Sequence, residues 1–149
     1  MSDFELRRYR AGDLEAMFRL DEVCFEEPFR FSLAVMRRFA EARRARVVVA
    51  ESDGVLVGFC VVHVEAAKVG YVVTLDVAPE WRRKGLAGVL MGAVEDQVRA
   101  AGCEVMVLHV FTGNEAAIRF FERLGFGWGG VDVVFYGDGV GALVYQKGL

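Results

Sequence analysis

Cysteine is scarce in this chain, and proline is scarcer still. The three cysteines, Cys24, Cys60 and Cys103, stand far apart among 149 residues. No two share the short spacing of a metal-ligand pair, and an odd scatter of thiols makes no disulfide framework. Each falls inside an apolar pattern, so each is expected as a buried, inert thiol, and no metal site is expected. A surplus of positive charge is also missing. The net charge is −3, and only Lys68, Lys84 and Lys147 are lysines. This balance argues against general nucleic-acid binding. The central apolar run LAGVLMGAV falls well short of the roughly 20 residues that span a bilayer, so no membrane association is expected. Charges at Asp3, Glu5, Arg7 and Arg8 occupy the place of a signal peptide, so a reducing cytoplasm is the expected location. No repeat, linker or low-complexity stretch divides the chain. With 54% hydrophobic and 26% charged residues, a single folded domain over residues 1–149 is expected.

Periodicity then supplies the elements. FELRRY (4–9) reads as a strand. A helix follows from Gly12 or Asp13, with Leu14, Met17, Phe18 and Val23 as its apolar stripe, and it stops before Pro28. Ser32 caps a second helix running to about Arg44. VVVAE (47–51) and VLVGFCVVHVE (55–65) are strands joined at Ser-Asp-Gly. GYVVTLDVA (70–78) is a strongly β-branched strand, followed by a helix over 86–101 that Gly102 ends. CEVMVLHVF (103–111) is the next strand. Asn114 caps a helix to about Leu124, with Ala117, Phe121 and Leu124 on one face. The stretch from Trp128 to Gln146 reads as a strand, a GDGVG turn and a last strand. The order is that of a mixed α/β domain with one parallel crossover, strand 70–78, helix 86–101, strand 103–111.

That crossover puts PEWRRKGLAG (79–88) between a strand's carboxyl end and a helix N-terminus. Such a terminus offers unpaired N–H donors and a partial positive charge, which suit a phosphate. Gly85 and Gly88 allow close backbone approach, Ala87 keeps it clear, and Arg82, Arg83 and Lys84 add charge. Taken alone, three cations at a helix start also suit plain solvation. A Walker loop is excluded by spacing. The glycines at 125, 127 and 130 follow a helix and open a strand, the reverse of a dinucleotide site.

Val77-x-Pro79-x-x-Arg82-x-x-Gly85-x-Ala87 resembles the acyl-CoA motif of the GNAT superfamily of N-acetyltransferases. Asn114-x-x-Ala117-Ile118-x-x-Phe121-x-x-Leu124-Gly125-Phe126 resembles that family's second signature, in the expected order and over nearly the whole chain. The resemblance implies an α/β GNAT fold, a mixed and mostly antiparallel sheet with a central splayed parallel pair, flanked by helices. It implies acetyl-CoA as cofactor. The pantetheine would lie along Leu75, Asp76 and Val77. The diphosphate would sit on the turn of Arg82, Arg83, Lys84, Gly85, Leu86, Ala87 and Gly88, with Asn114, Ala117 and Phe121 also at the cofactor. FEEPFRFS (25–32) looks like the acceptor loop of RimI-type and NatE-type N-terminal acetyltransferases, and FYGDGVGALVYQK (135–147) like their closing hairpin. Phe25, Glu27, Pro28, Phe29 and Tyr136 would then meet the acceptor.

Tyr71 and His109 resemble the tyrosine and histidine that the NatE type uses on the amine. Geometry allows it. Tyr71, Val73, Leu75 and Val77 share one strand face, as do Val105, Val107, His109 and Phe111. From Val77 to Tyr71 the strand runs roughly 20 Å, about a pantetheine's reach. An imidazole with an ordinary pKa of about 6.5 suits a general base. Taken alone, a histidine in a strand such as His109 is more often a packed core residue, and His63, with no motif around it, is assigned a structural role. Asp76 lies opposite the Tyr71 face and is not assigned as base. Phe121 departs from relatives that carry tyrosine there. Protonation of the leaving thiolate then falls to water or to Tyr136, or is hardly needed. The expected activity is transfer of acetyl to a protein or peptide N-terminus by a monomer or homodimer. A small-amine acetyltransferase and a non-catalytic acyl-CoA-binding module are the alternatives.

Overall fold

The computed structural model describes residues 3–132 and 141–149. Its sheet is organised by one tight turn and one crossover. β1 (Glu5–Arg8) pairs antiparallel with β2 (Ala45–Ser52), which pairs antiparallel with β3 (Val55–Glu65). The β2–β3 turn places Asp53 at φ 49° and Gly54 at φ 77°. Two successive left-handed residues give the primed turn whose twist matches a hairpin. β4 (Val69–Val77) continues antiparallel to β3, and β5 (Val105–Phe111) then joins β4 in parallel. A hairpin cannot make that parallel join, so α3 (Leu86–Ala100) carries the chain across. α1 (Leu14–Cys24) and α2 (Leu33–Ala40) precede β2, and α4 (Glu115–Arg123) follows β5. β6 (Gly127–Asp132) and β7 (Ala142–Gly148) complete the order β1-β2-β3-β4-β5-β7-β6. This is the mixed sheet with a central parallel pair expected from the sequence.

Strand alternation sorts the core into two layers. Val47, Val49, Phe59 and Val61 face Leu14, Met17 and Met36, while Val48, Ala50, Cys60 and Val62 face Leu86, Leu90, Val94 and Phe121. Burial on both faces is why these strands read as unbroken apolar runs.

Three expectations for the helices and cysteines need correction. α2 ends at Ala40, not near Arg44, because the chain turns through Ala45 N–H to Ala42 C=O to enter β2. In α1 the buried positions are Leu14, Met17, Leu20 and Asp21. Val23 is 62% exposed, since the 3.6-residue period set by Leu14 and Met17 carries it off that face. Cys24 is half-buried rather than buried, and its thiol donates to the Val77 carbonyl at 3.4 Å.

One feature of the sheet builds a cleft. β4 and β5 pair only from Val69–Tyr71 to Val105–Val107. Past that point β4 is paired on its β3 side and β5 on its β7 side. The β3–β4 register shifts at Val61 and Val62, opposite Thr74 and Val72, leaving Val73 as the extra residue. A bulge bends its strand, and this one lies just where the parallel ladder stops. The two strands therefore separate toward their carboxyl ends. Gly58 on β3 lets α3 settle there. A Cβ at Gly58 would stand 3.0 Å from the Asp76 carbonyl and 3.2 Å from methyls of Leu86 and Leu90.

Candidate active site

The open end of the cleft meets the start of α3. Pro79 begins a short 3-10 turn (Pro79–Trp81), and Trp81 packs edge-on against Phe4. Arg82 Nε donates to the Val77 carbonyl at 3.3 Å, tying the turn to the end of β4. Lys84 Nζ lies 5.1 Å from the Trp81 ring centroid. The side chains of Arg82, Arg83 and Lys84 are exposed. Arg83 (φ 62°) and Gly85 (φ 82°) are left-handed, and Gly85 is the N-cap of α3. The helical bonding of the turn begins with Val89 N–H donating to Gly85 C=O at 3.1 Å. Leu86, Ala87 and Gly88 thus hold first-turn amides, which have no carbonyl within the helix. Leu86 is buried and anchors the turn, and Ala87 and Gly88 are partly exposed. A Cβ at Gly85 or at Gly88 would meet nothing within 4 Å among the described residues. The space above this turn is open, cationic at its rim and floored by N–H donors, which fits a diphosphate.

The closed end of the cleft holds Tyr71 and His109. Tyr71 is the last β4 residue paired with β5, and His109 lies two positions beyond its partner Val107 on the same face. Tyr71 Oη and His109 Nδ1 are 2.8 Å apart, with ring centroids at 5.7 Å. The sequence-based expectation that these two residues meet is therefore realised. Either group can donate. If Nδ1–H donates to Tyr71 Oη, Nε2 carries the basic lone pair, and the phenol keeps its own proton to donate. That tautomer makes His109 a base oriented by Tyr71. His63 is different. It is buried, its Nε2–H donates to the Phe39 carbonyl at 2.9 Å, and Nδ1 accepts from Arg44 Nε at 3.4 Å. Those partners use both ring nitrogens in structure.

The loop between α1 and α2 reaches the same end. Phe29 stacks on Phe111 of β5, centroids 5.0 Å apart. Phe25 is half-buried, and Glu27 and Pro28 are exposed. Glu27 accepts from Arg30 Nε at 3.3 Å. Its charge is thus partly answered within the loop. Tyr136 lies outside the described residues. On α4, Asn114 Oδ1 accepts from Ala117 N–H at 3.2 Å, so Asn114 is a helix cap. Ala117 packs against the core, and Phe121 is buried between the rings of Phe120 and Phe126.

Leu75, Asp76 and Val77 line β4 beyond its pairing with β5. The expectation that Tyr71, Val73, Leu75 and Val77 share one face fails, because the bulge at Val73 reverses the alternation: Leu75 and Val77 turn to the α3 layer, and the fully buried Asp76 side chain lies on the Tyr71 side, toward α1. There it contacts Asp21 of α1, a residue absent from the sequence-based site. The two carboxyls are hydrogen-bonding neighbours, and burial pushes the pKa of both up, that of Asp76 strongly. The signal was present in the sequence: Asp21 falls on the Leu14–Met17 stripe, where a carboxylate is out of place.

Comparison with known proteins adds to this geometry. The sequence pattern of the acetyltransferase (GNAT) family matches residues 14–126. An N-alpha-acetyltransferase of Saccharolobus solfataricus is 27% identical over 161 aligned positions, covering 99% of this chain and 94% of that protein. The crystal structure of the ribosomal-protein-S18-alanine N-acetyltransferase from Escherichia coli superposes with a TM-score of 0.87 at 19% identity, covering 98% of this chain and 94% of that one. A nourseothricin acetyltransferase structure gives a TM-score of 0.80 at 26% identity, covering 97% and 98%.

Proposed function

The chain belongs to the GNAT acetyltransferase family, and from that premise we propose that it transfers acetyl from acetyl-CoA to the α-amine of a peptide or protein N-terminus. The observation that carries this reading is the Tyr71–His109 pair at the closed end of a cleft whose open end abuts the amides of α3. Acetyl-CoA supplies an activated thioester. The α3 turn, with Arg82, Arg83 and Lys84, holds the diphosphate, and β4 from Leu75 to Val77 guides the arm toward Tyr71. The Val77 amide supports charge developing on the thioester oxygen.

His109 Nε2 takes a proton from the incoming ammonium group, directly or through water, while Tyr71 fixes the ring. The demand on this base is mild. An α-amine of pKa about 7.7–8.0 is roughly a tenth neutral at pH 7, whereas a lysine amine near 10.4 is a few hundredfold scarcer in neutral form, on the order of 0.04%. Phe121 has no proton to give, so the thiolate leaves to water or as the anion.

The acceptor side favours a peptide over a polycationic small amine. Its described wall is Phe25, Pro28, Phe29 and Phe111, with Glu27 already met by Arg30. The test is a library of peptides differing in their first two residues, incubated with acetyl-CoA and scored by thiol release. Acetylation confined to free α-amines supports the reading. Turnover of small polyamines or aminoglycosides alone contradicts it.

A further inference from the structure

Two carboxyl groups face each other between α1 and the end of β4, on the same side of the sheet as Tyr71. Asp21, on the last turn of α1, and Asp76, near the end of β4, both have 0% exposure. One oxygen of each is satisfied elsewhere. Asp21 Oδ2 accepts from Phe31 N–H at 2.8 Å, and Asp76 Oδ1 accepts from Thr74 Oγ1 at 2.5 Å. The remaining pair, Asp21 Oδ1 and Asp76 Oδ2, is buried with no N–H or hydroxyl donor among the described residues.

Two facing anions would be left uncompensated there. Arg30 on the loop and Arg82 on the α3 turn act only at a distance, and Arg82 Nε is engaged by the Val77 carbonyl. Glu22 adds negative charge from α1. The other titratable neighbours, Cys24 of α1 and Cys60 of β3, are thiols whose own pKa values are raised by burial. A single proton resolves the conflict. The neutral acid's O–H donates to the facing carboxylate, a short charge-assisted bond that satisfies both orphan oxygens.

We propose that Asp21 and Asp76 share one proton, and that this carboxyl pair fastens the acceptor loop to the cofactor strand. Both are positioning residues for the acyl transfer described above, and that part of the inference rests on that reading. Asp21 clips the loop at both ends, its C=O accepting from Phe25 N–H at 2.9 Å and its carboxylate from Phe31 N–H. Between those points Phe29 stacks on Phe111, which shares a β5 face with His109. The shared proton therefore sets the height of the acceptor wall over the Tyr71–His109 pair. When it leaves at alkaline pH, the two carboxylates repel, Asp21 moves off β4, and the Phe31 amide loses its fixed acceptor.

The test uses the full chain without cofactor or amine. Exchange at the Phe31 amide, corrected for its intrinsic rate, is followed from mildly acid to alkaline pH. Wild type is expected to lose protection by about tenfold or more over this range, the equivalent of one pKa unit. Asp21→Asn and Asp76→Asn each give the remaining carboxylate a permanent N–H donor, and each is expected to hold protection flat. Infrared spectra are expected to show a protonated carboxyl band in wild type at neutral pH that both variants lack. Parallel exchange profiles in wild type and Asp21→Asn, or no carboxylic-acid band, would overturn the proposal. A positioning role further requires the peptide KM of wild type, relative to Asp21→Asn, to rise toward alkaline pH with kcat in constant ratio. Exchange and infrared readouts need no substrate, so their failure leaves the transferase reading intact. Absence of peptide acetylation would leave the shared proton standing and remove only its role.

Discussion

At the scale of single residues, His109 and Tyr71 have unequal tasks. His109 moves the proton, so His109→Ala is expected to lower kcat by about 10²–10⁴-fold while leaving acetyl-CoA affinity near wild type. Tyr71→Phe removes the oriented 2.8 Å bond and leaves the base in place. At about 1 kcal/mol for such a bond, a loss of roughly fivefold is expected. Steady-state assays on the best peptide from the library separate the two. An unchanged kcat in His109→Ala would move the base elsewhere. The meeting of these residues was legible because both stand where β4 and β5 still run in register, but alternation misplaced Leu75 and Val77, since the bulge at Val73 is silent in the sequence. The Asp21–Asp76 pair was not legible. It joins a helix to a strand far apart in the chain, and the apolar stripe through Phe18 and Val23 passes Asp21 by.

At the scale of elements, the β4–turn–α3 unit is the part on which cofactor binding depends. Gly85 sits at φ 82°, where a branched side chain is strained, and its Cβ would project into the open space at the helix start. Gly85→Val is expected to abolish measurable acetyl-CoA binding by calorimetry while the far-ultraviolet dichroism stays close to native. Tight binding by that variant would count against the turn as the diphosphate site. Gly58→Ala presses on the Asp76 carbonyl and on Leu86 and Leu90 at 3.0–3.2 Å. Such overpacking is expected to cost about 1–3 kcal/mol in chemical denaturation. The crossover and the Ser-Asp-Gly hairpin were readable because turn chemistry is local. The end of α2 was misread because tertiary pairing at Ala45 overrides the helix-forming run that precedes it. The splay of β4 from β5 came to the sequence reading only through family likeness, and the bulge at Val73 gives it a physical cause.

At the scale of the whole molecule, two carboxyl systems pull stability in opposite directions with pH. Arg7 bridges Asp13 at 2.8 Å and Glu51 at 3.0 Å, tying β1, the start of α1 and β2 together. The hydrogen bond from Arg7 holds the Asp13 carboxyl below its usual range. That contribution is present above the ordinary carboxylate pKa and is lost as pH falls through the lowered one. Asp21 and Asp76 are raised, chiefly by burial, so their contribution is full in acid and declines as pH climbs from the ordinary carboxylate range through the raised values. One proton held in the folded state and not in the unfolded one gives a slope of up to about 1.4 kcal/mol per pH unit. Thermal melting is expected to peak in mildly acid solution. Asp21→Asn should flatten the alkaline limb and leave the acid limb, which belongs to Asp13, unchanged.

The account turns on where the cofactor lies. A crystal structure of the chain with acetyl-CoA decides it. The diphosphate is expected on the amides from Arg83 to Gly88, with the acetyl carbonyl between β4 and β5 within reach of the Tyr71–His109 pair. A diphosphate bound away from that turn, or an acetyl group remote from His109, would contradict it.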